Sequence, residues 1–176
     1  MDKKIPDIIL RYAILIIAAI ANLWIFYLVF TPLTVLPVFW LLDLFYNALL
    51  VSGRIILINR MIPIELIEAC IAGAAYYLLL ILNLSTPGIK LNKRVKMIAL
   101  SFIFFLVVNI LRIFILSLVA VSGSSFFDIT HIFFWYALST VFVVAIWFAE
   151  VKIFKIKEIP FYSDLRLLYK KLKTKT

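Results

Sequence analysis

Residues 33–61, LTVLPVFWLLDLFYNALLVSGRIILINRM, decide how the rest of the chain is threaded. They are apolar enough to count as a span, and counting them so would invert every later segment. The basic residues argue against that. They fall in three blocks: Lys3, Lys4 and Arg11; Lys90, Lys93, Arg94 and Lys96; then Lys152, Lys155, Lys157, Arg166, Lys170, Lys171, Lys173 and Lys175. These hold 15 of the 18 cations, and the positive-inside rule assigns all three blocks to the cytoplasm. An even number of crossings meets that condition, so residues 33–61 are expected on the outer membrane surface. Within them, residues 38–50 read as an interfacial helix carrying Asp43 and Asn47 on one face, with Pro32 and Pro37 interrupting its start. After Ser52-Gly53, the apolar runs 55–58 and 62–67 flank Asn59-Arg60 and read as a short hairpin-like excursion. Pro63 confines its strand to an edge.

Composition agrees with a bilayer as solvent. The 176 residues are 66% hydrophobic and 15% charged, with a mean hydropathy of +1.15, far from the globular averages of about half apolar and about a quarter charged. The expected fold is an all-α polytopic membrane protein, one integral domain over residues 1–176. Its four spans cover about 8–30, 66–84, 97–119 and 129–149, and a basic tail over 152–176 lies as a surface helix on anionic lipid. Both termini then face the cytoplasm. The first span lacks a signal-peptide cleavage site and reads as a retained anchor. The net charge of +9 is absorbed by orientation, which removes nucleic acid as a partner. One Cys excludes an intrachain disulfide. There is no HExxH, paired CxxC, GxxxxGK[ST] or GxGxxG, so neither a metal nor a phosphate-bearing cofactor is expected.

Ionisable residues inside an apolar span cost about 2.5–3.5 kcal/mol each at its centre and mark function by default. Arg112 lies well inside the third span, with Asn109 three residues earlier on the same helical face. The only Cys, Cys70, follows Glu65 and Glu68 into the second span, and the only His, His131, opens the fourth after Asp128. Three separate spans thus carry Cys, Arg and His to one outer layer. The set is chemically coherent: a thiolate attacks a carbonyl, an imidazole manages its proton, and a guanidinium steadies the oxyanion. Asn109 would orient Arg112, and Glu68 or Asp128 would orient His131 or bind substrate. Two other readings fit the same residues. One is a non-catalytic scaffold or substrate-binding subunit, with Arg112 paired to Glu68. The other is a small transporter relaying through Asp43, Arg112 and His131.

Glu68-Ala69-Cys70-Ile71-Ala72-Gly73 at the head of one span, Asn109-Ile110-Leu111-Arg112 near the end of the next and His131 opening the third resemble the exosortase/archaeosortase family of membrane sorting enzymes. The likeness covers about residues 38–150, and the order and spacing of the three sites are its specific part. It implies Cys70 as nucleophile, Arg112 as oxyanion stabiliser and His131 as acid/base. It further implies exported substrate proteins ending in a motif, a transmembrane helix and a basic cluster, with a membrane lipid as acceptor of the new carboxyl end. Family members often follow the Cys with Ser or Thr and then Gly, whereas Ile71-Ala72 intervene here.

Overall fold

The computed structural model describes residues 4–20, 22–123 and 125–173, so Lys3 and Lys175 of the basic blocks lie outside it. The expected first span is two helices, α1 (Lys4–Ile20) and α2 (Trp24–Asp43). Asn22 and Leu23 both adopt left-handed backbone, φ 47° and 59°, which ends one hydrogen-bond ladder before Leu23 O accepts the first amides of the next. The polar interruption in the apolar run is where the chain leaves the helix.

α2 overturns the expectation for residues 33–43. Pro32 and Pro37 lie inside it, and Val35, Val38 and Leu42 are buried where it packs along α5. Each proline withdraws one donor, whereas leaving the helix in an apolar surround would orphan many. Nor do residues 38–50 form an interfacial helix. The helix stops at Asp43, whose Oδ1 accepts from the Ala48 amide at 3.2 Å, so Asp43 fastens a turn and Asn47 lies beyond it.

The excursion that follows is a three-stranded antiparallel sheet, β1 (Ala48–Ser52), β2 (Ile55–Ile58) and β3 (Ile62–Glu65), in the order β1-β2-β3. Asn59 and Arg60 are both left-handed and the Met61 amide donates to Ile58 O at 3.0 Å, a type I′ hairpin turn. Pro63 sits on the edge strand β3, as its missing N–H requires. The fold is therefore mostly helical with a small sheet, rather than all-α.

The second expected span is also divided, into α3 (Glu68–Ile71) and α4 (Gly73–Leu84), by Ala72 at φ 60°. At Gly73 α2 comes so close that a Cβ would stand 2.8 Å from Tyr27 Cζ. α5 (Leu91–Val121) contains the third expected span. The fourth lies in a helical path of α6 (Phe127–Tyr136), a π-helical segment (Ala137–Phe142) and α7 (Val143–Ile153); α8 (Tyr162–Lys173) forms the tail. Between the helices, Tyr76 stacks on Phe30 at 3.6 Å and meets Phe102 and Phe105 edge-on.

Side-chain bonds define one end of the bundle. Arg11 Nη2 pairs with Asp164 at 2.9 Å, its Nη1 donates to Leu84 O at 2.7 Å, Arg94 Nη1 donates to Asn83 O at 2.7 Å, and Lys93 Nζ donates to Phe154 O at 2.6 Å. All three basic blocks therefore meet there. From that end the chain runs out through α1 and α2 to the sheet, back through α3 and α4, out along α5, and back through α6 and α7. Among the described residues, α2 and α5 are each long and apolar enough to cross a bilayer.

Candidate active site

α5 supplies the fixed side of the site. Arg112 lies nine residues before its end at Val121, about 14 Å at 1.5 Å per residue, and is 5% exposed. Asn109, one turn earlier, is fully buried. Its Nδ2 donates to Cys70 O at 2.8 Å and its Oδ1 accepts from Arg112 Nη1 at 3.5 Å. One amide therefore touches both the cysteine's main chain and the guanidinium. Arg112 Nε is buried with no hydrogen-bond partner, and no carboxylate stands within ion-pair distance of this cation among the described residues.

Cys70 sits on the short α3, half-buried and with a free thiol. Its amide donates to Ile67 O at 2.8 Å. His131 comes from α6, its ring stacked on Phe127 one turn earlier with centroids 5.8 Å apart and planes 7° from parallel. Cys70, Arg112 and His131 line one cavity of about 280 Å³, together with residues 63–67 and with Leu116, Ser117 and Phe127. An apolar surround disfavours a thiolate and an adjacent guanidinium favours it. A cavity holding a buried cation without a counter-ion is suited to an anion, whether the thiolate itself or an oxyanion formed from it.

Two expected members stand apart. Glu68 is exposed and lies 3.8 Å from Arg54 Nη1, on a separate cleft of about 640 Å³ with Asn22, Trp24, Tyr27 and Thr31. Ile67 is extended and α3 then turns its first residue toward Arg54 in the β1–β2 loop; the Arg112–Glu68 pair expected of a scaffold is absent among the described residues. Asp128 is exposed in the first turn of α6 and is not part of the cavity lining. Asp43 serves the turn into β1, away from any relay with Arg112. Sequence reasoning missed Phe127, although its i,i+4 spacing to His131 was available, and it missed the strand residues 63–65, whose role depends on the sheet. Among the described residues no cluster of His, Cys, Asp and Glu could hold a metal. No family model, curated protein or solved structure matches the chain.

Proposed function

We propose that the protein is a membrane cysteine transpeptidase or protease of the archaeosortase/exosortase type, acting on exported proteins at the outer membrane face. The observation that carries this reading is the buried Arg112 guanidinium, which has no carboxylate within ion-pair distance among the described residues, in one cavity with the only Cys and the only His. Burying an unpaired charge is expensive, and an anion formed during reaction offsets that cost where it helps most.

In the proposed reaction His131 takes the thiol proton and Cys70 Sγ attacks the scissile carbonyl. Arg112 stabilises the oxyanion, with Asn109 holding it in position. His131 then gives its proton to the departing amine, leaving a thioester on Cys70. A hydroxyl or amine of a lipid acceptor, or water, attacks the thioester and restores the thiol. The substrate's own transmembrane helix, lying beside the bundle, would make the encounter intramembrane and raise effective concentration.

The matching topology has four crossings: α1 with α2, α3 with α4, α5, and α6 through α7. The basic end lies in the cytoplasm and the sheet outside. The convergence of the three basic blocks supports this, as does the sheet, whose unpaired edges are not tolerated in lipid. A reporter fused after Lys96 should read cytoplasmic and one at Gly123 external; the reverse pair would overturn the orientation. For the chemistry, an exported reporter is given C-terminal segments of motif, apolar helix and basic cluster encoded by the same genome. Co-expression should yield loss of that segment. Unchanged processing by Cys70→Ala would refute the nucleophile.

A further inference from the structure

The cavity is smaller than the roughly 300–1,000 Å³ of pockets that enclose a whole ligand. At about 280 Å³ it accommodates the residues beside the scissile bond and leaves a longer recognition segment to be held elsewhere. One wall of it is a strand. Among the described residues β3 pairs with β2 on one side and with no strand on the other, and residues 63–67 follow one another along the cavity.

The ladder fixes which backbone groups are spare. Leu66 N donates to Arg54 O at 2.8 Å, continuing the β2–β3 register in which Ile64 faces Ile56 and Ile62 faces Ile58. In an antiparallel pair, hydrogen-bonded and non-hydrogen-bonded positions alternate. Ile62, Ile64 and Leu66 therefore turn their amides and carbonyls toward β2. Pro63 and Glu65 turn theirs to the free edge. That edge offers the Glu65 N–H, the Glu65 C=O and the Pro63 C=O, while Pro63 itself supplies no donor. A full donor–acceptor pair is available at Glu65, the end of the strand nearer Cys70, and pairing weakens one step away.

We propose that the substrate's recognition segment binds as an added strand on the free edge of β3, paired through Glu65, which leads its scissile carbonyl into the Cys70 cavity. The occupant is an extended peptide, because the edge presents main-chain partners at strand spacing and little side-chain chemistry of its own. Main-chain pairing supplies affinity without sequence preference, and the small cavity selects the residues at the cleavage point. This inference rests on Cys70 being the nucleophile, and the test separates the two.

The full-length protein in lipid nanodiscs is treated with a randomised tetrapeptidyl chloromethyl ketone pool and, separately, with iodoacetamide. Cys70 is the only cysteine, and peptide mapping, with Cys70→Ala as the blank, reports its alkylation apart from that of His131 or lysines. The readout is the ratio of the peptidyl to the iodoacetamide rate constant, which cancels any change in the thiol. N-methylation of the amide that meets Glu65 O should lower the wild-type ratio at least tenfold, and methylation one residue along should change it less than twofold. Glu65→Pro, which removes the outward donor, should lower the ratio tenfold with the unmethylated pool. Equal ratios for all peptides, or an unchanged ratio in Glu65→Pro, overturn the edge site while leaving the nucleophile intact. Failure of Cys70 to react with iodoacetamide refutes the nucleophile and the edge site together.

Discussion

Replacing Asn109 tests whether the site is assembled as described. Asn109 is fully buried, and its Nδ2 bond to Cys70 O spans 2.8 Å. Removing one partner of a buried hydrogen bond costs about 1–3 kcal/mol, because the other is left unsatisfied. Asn109→Ala strands the Cys70 carbonyl and also removes the acceptor of Arg112 Nη1, so ~2 kcal/mol is a fair central value. For a chain of this length, at about 2–4 °C per kcal/mol, the melting midpoint should fall by about 4–8 °C. Asn109→Asp separates the two contacts. It keeps an oxygen for Arg112 but presents the Cys70 carbonyl with an acceptor, and its charge neutralises the guanidinium. The Ala variant should therefore be defined by its lower melting point and the Asp variant by slower iodoacetamide labelling of Cys70 near neutral pH. Melting within 1 °C of wild type and wild-type labelling in both variants would show that Asn109 does not tie Cys70 to Arg112.

The basic end is held by a buried pair: Arg11 and Asp164 are 3% and 2% exposed. Arg11 keeps Asp7 at 3.0 Å, so Asp164→Ala should cost about 1–3 kcal/mol by removing one partner of a buried bond, speed trypsin cleavage at Arg166, and cost less when Arg11→Gln is added. Glu150, 2% exposed, accepts from Asn83 Nδ2 at 3.0 Å beside an apolar cavity of about 360 Å³. Glu150→Gln keeps an acceptor and sheds the charge, so it should melt higher than wild type; Glu150→Leu leaves Asn83 Nδ2 with Leu79 O as its acceptor and one N–H unpaired, and should melt lower. Gly73→Ala places a methyl 2.8 Å from Tyr27 Cζ, against an ordinary carbon contact of about 3.5–4.0 Å. It should cost about 1–3 kcal/mol, relieved by Tyr27→Leu but not by Tyr27→Phe, which keeps the clashing ring carbon.

What was legible in the sequence was set by local chemistry or by charge. Asn59-Arg60 accepts left-handed backbone more readily at its Asn, and Pro63 can only sit on an edge, so the hairpin and its exposed strand followed from a few residues. The distribution of cations put three segments on one side, and in the structure those segments bond to one another at one end of the bundle. The breaks did not follow, because Leu23 and Ala72 have no local preference for the left-handed conformation they adopt. At Ala72 the break is accompanied by contacts from elsewhere, Tyr27 against Gly73 and Asn109 on the Cys70 carbonyl. Pro32 and Pro37 misled because each removes one bond while a buried helix face retains the rest. Cys70, Arg112 and His131, which line one cavity, and Asn109, which bonds the first two, stand out in the sequence as polar residues in apolar stretches. Glu68 was misassigned because closeness in sequence to Cys70 says nothing of the direction in which a four-residue helix turns it.

The break at Ala72 also accounts for the buried amide of Asn109. In an unbroken helix over residues 66–84, the Ala74 N–H would take the Cys70 carbonyl. Here the second helix begins afresh, with Ala72 O accepting from Ala75 and Tyr76, and the Cys70 carbonyl is left to Asn109. On the other side, Leu66 N is fixed to Arg54 O, Ile67 O accepts from Cys70 and Ile71, and Ala72 N returns to Glu68 O. The main chain from the end of β3 to the head of α4 is thus pinned nearly residue by residue, although α3 is too short to hold itself. The same Asn109 lies one turn from Arg112. Both the backbone of Cys70 and the guanidinium in its cavity are therefore referenced to a single turn of α5.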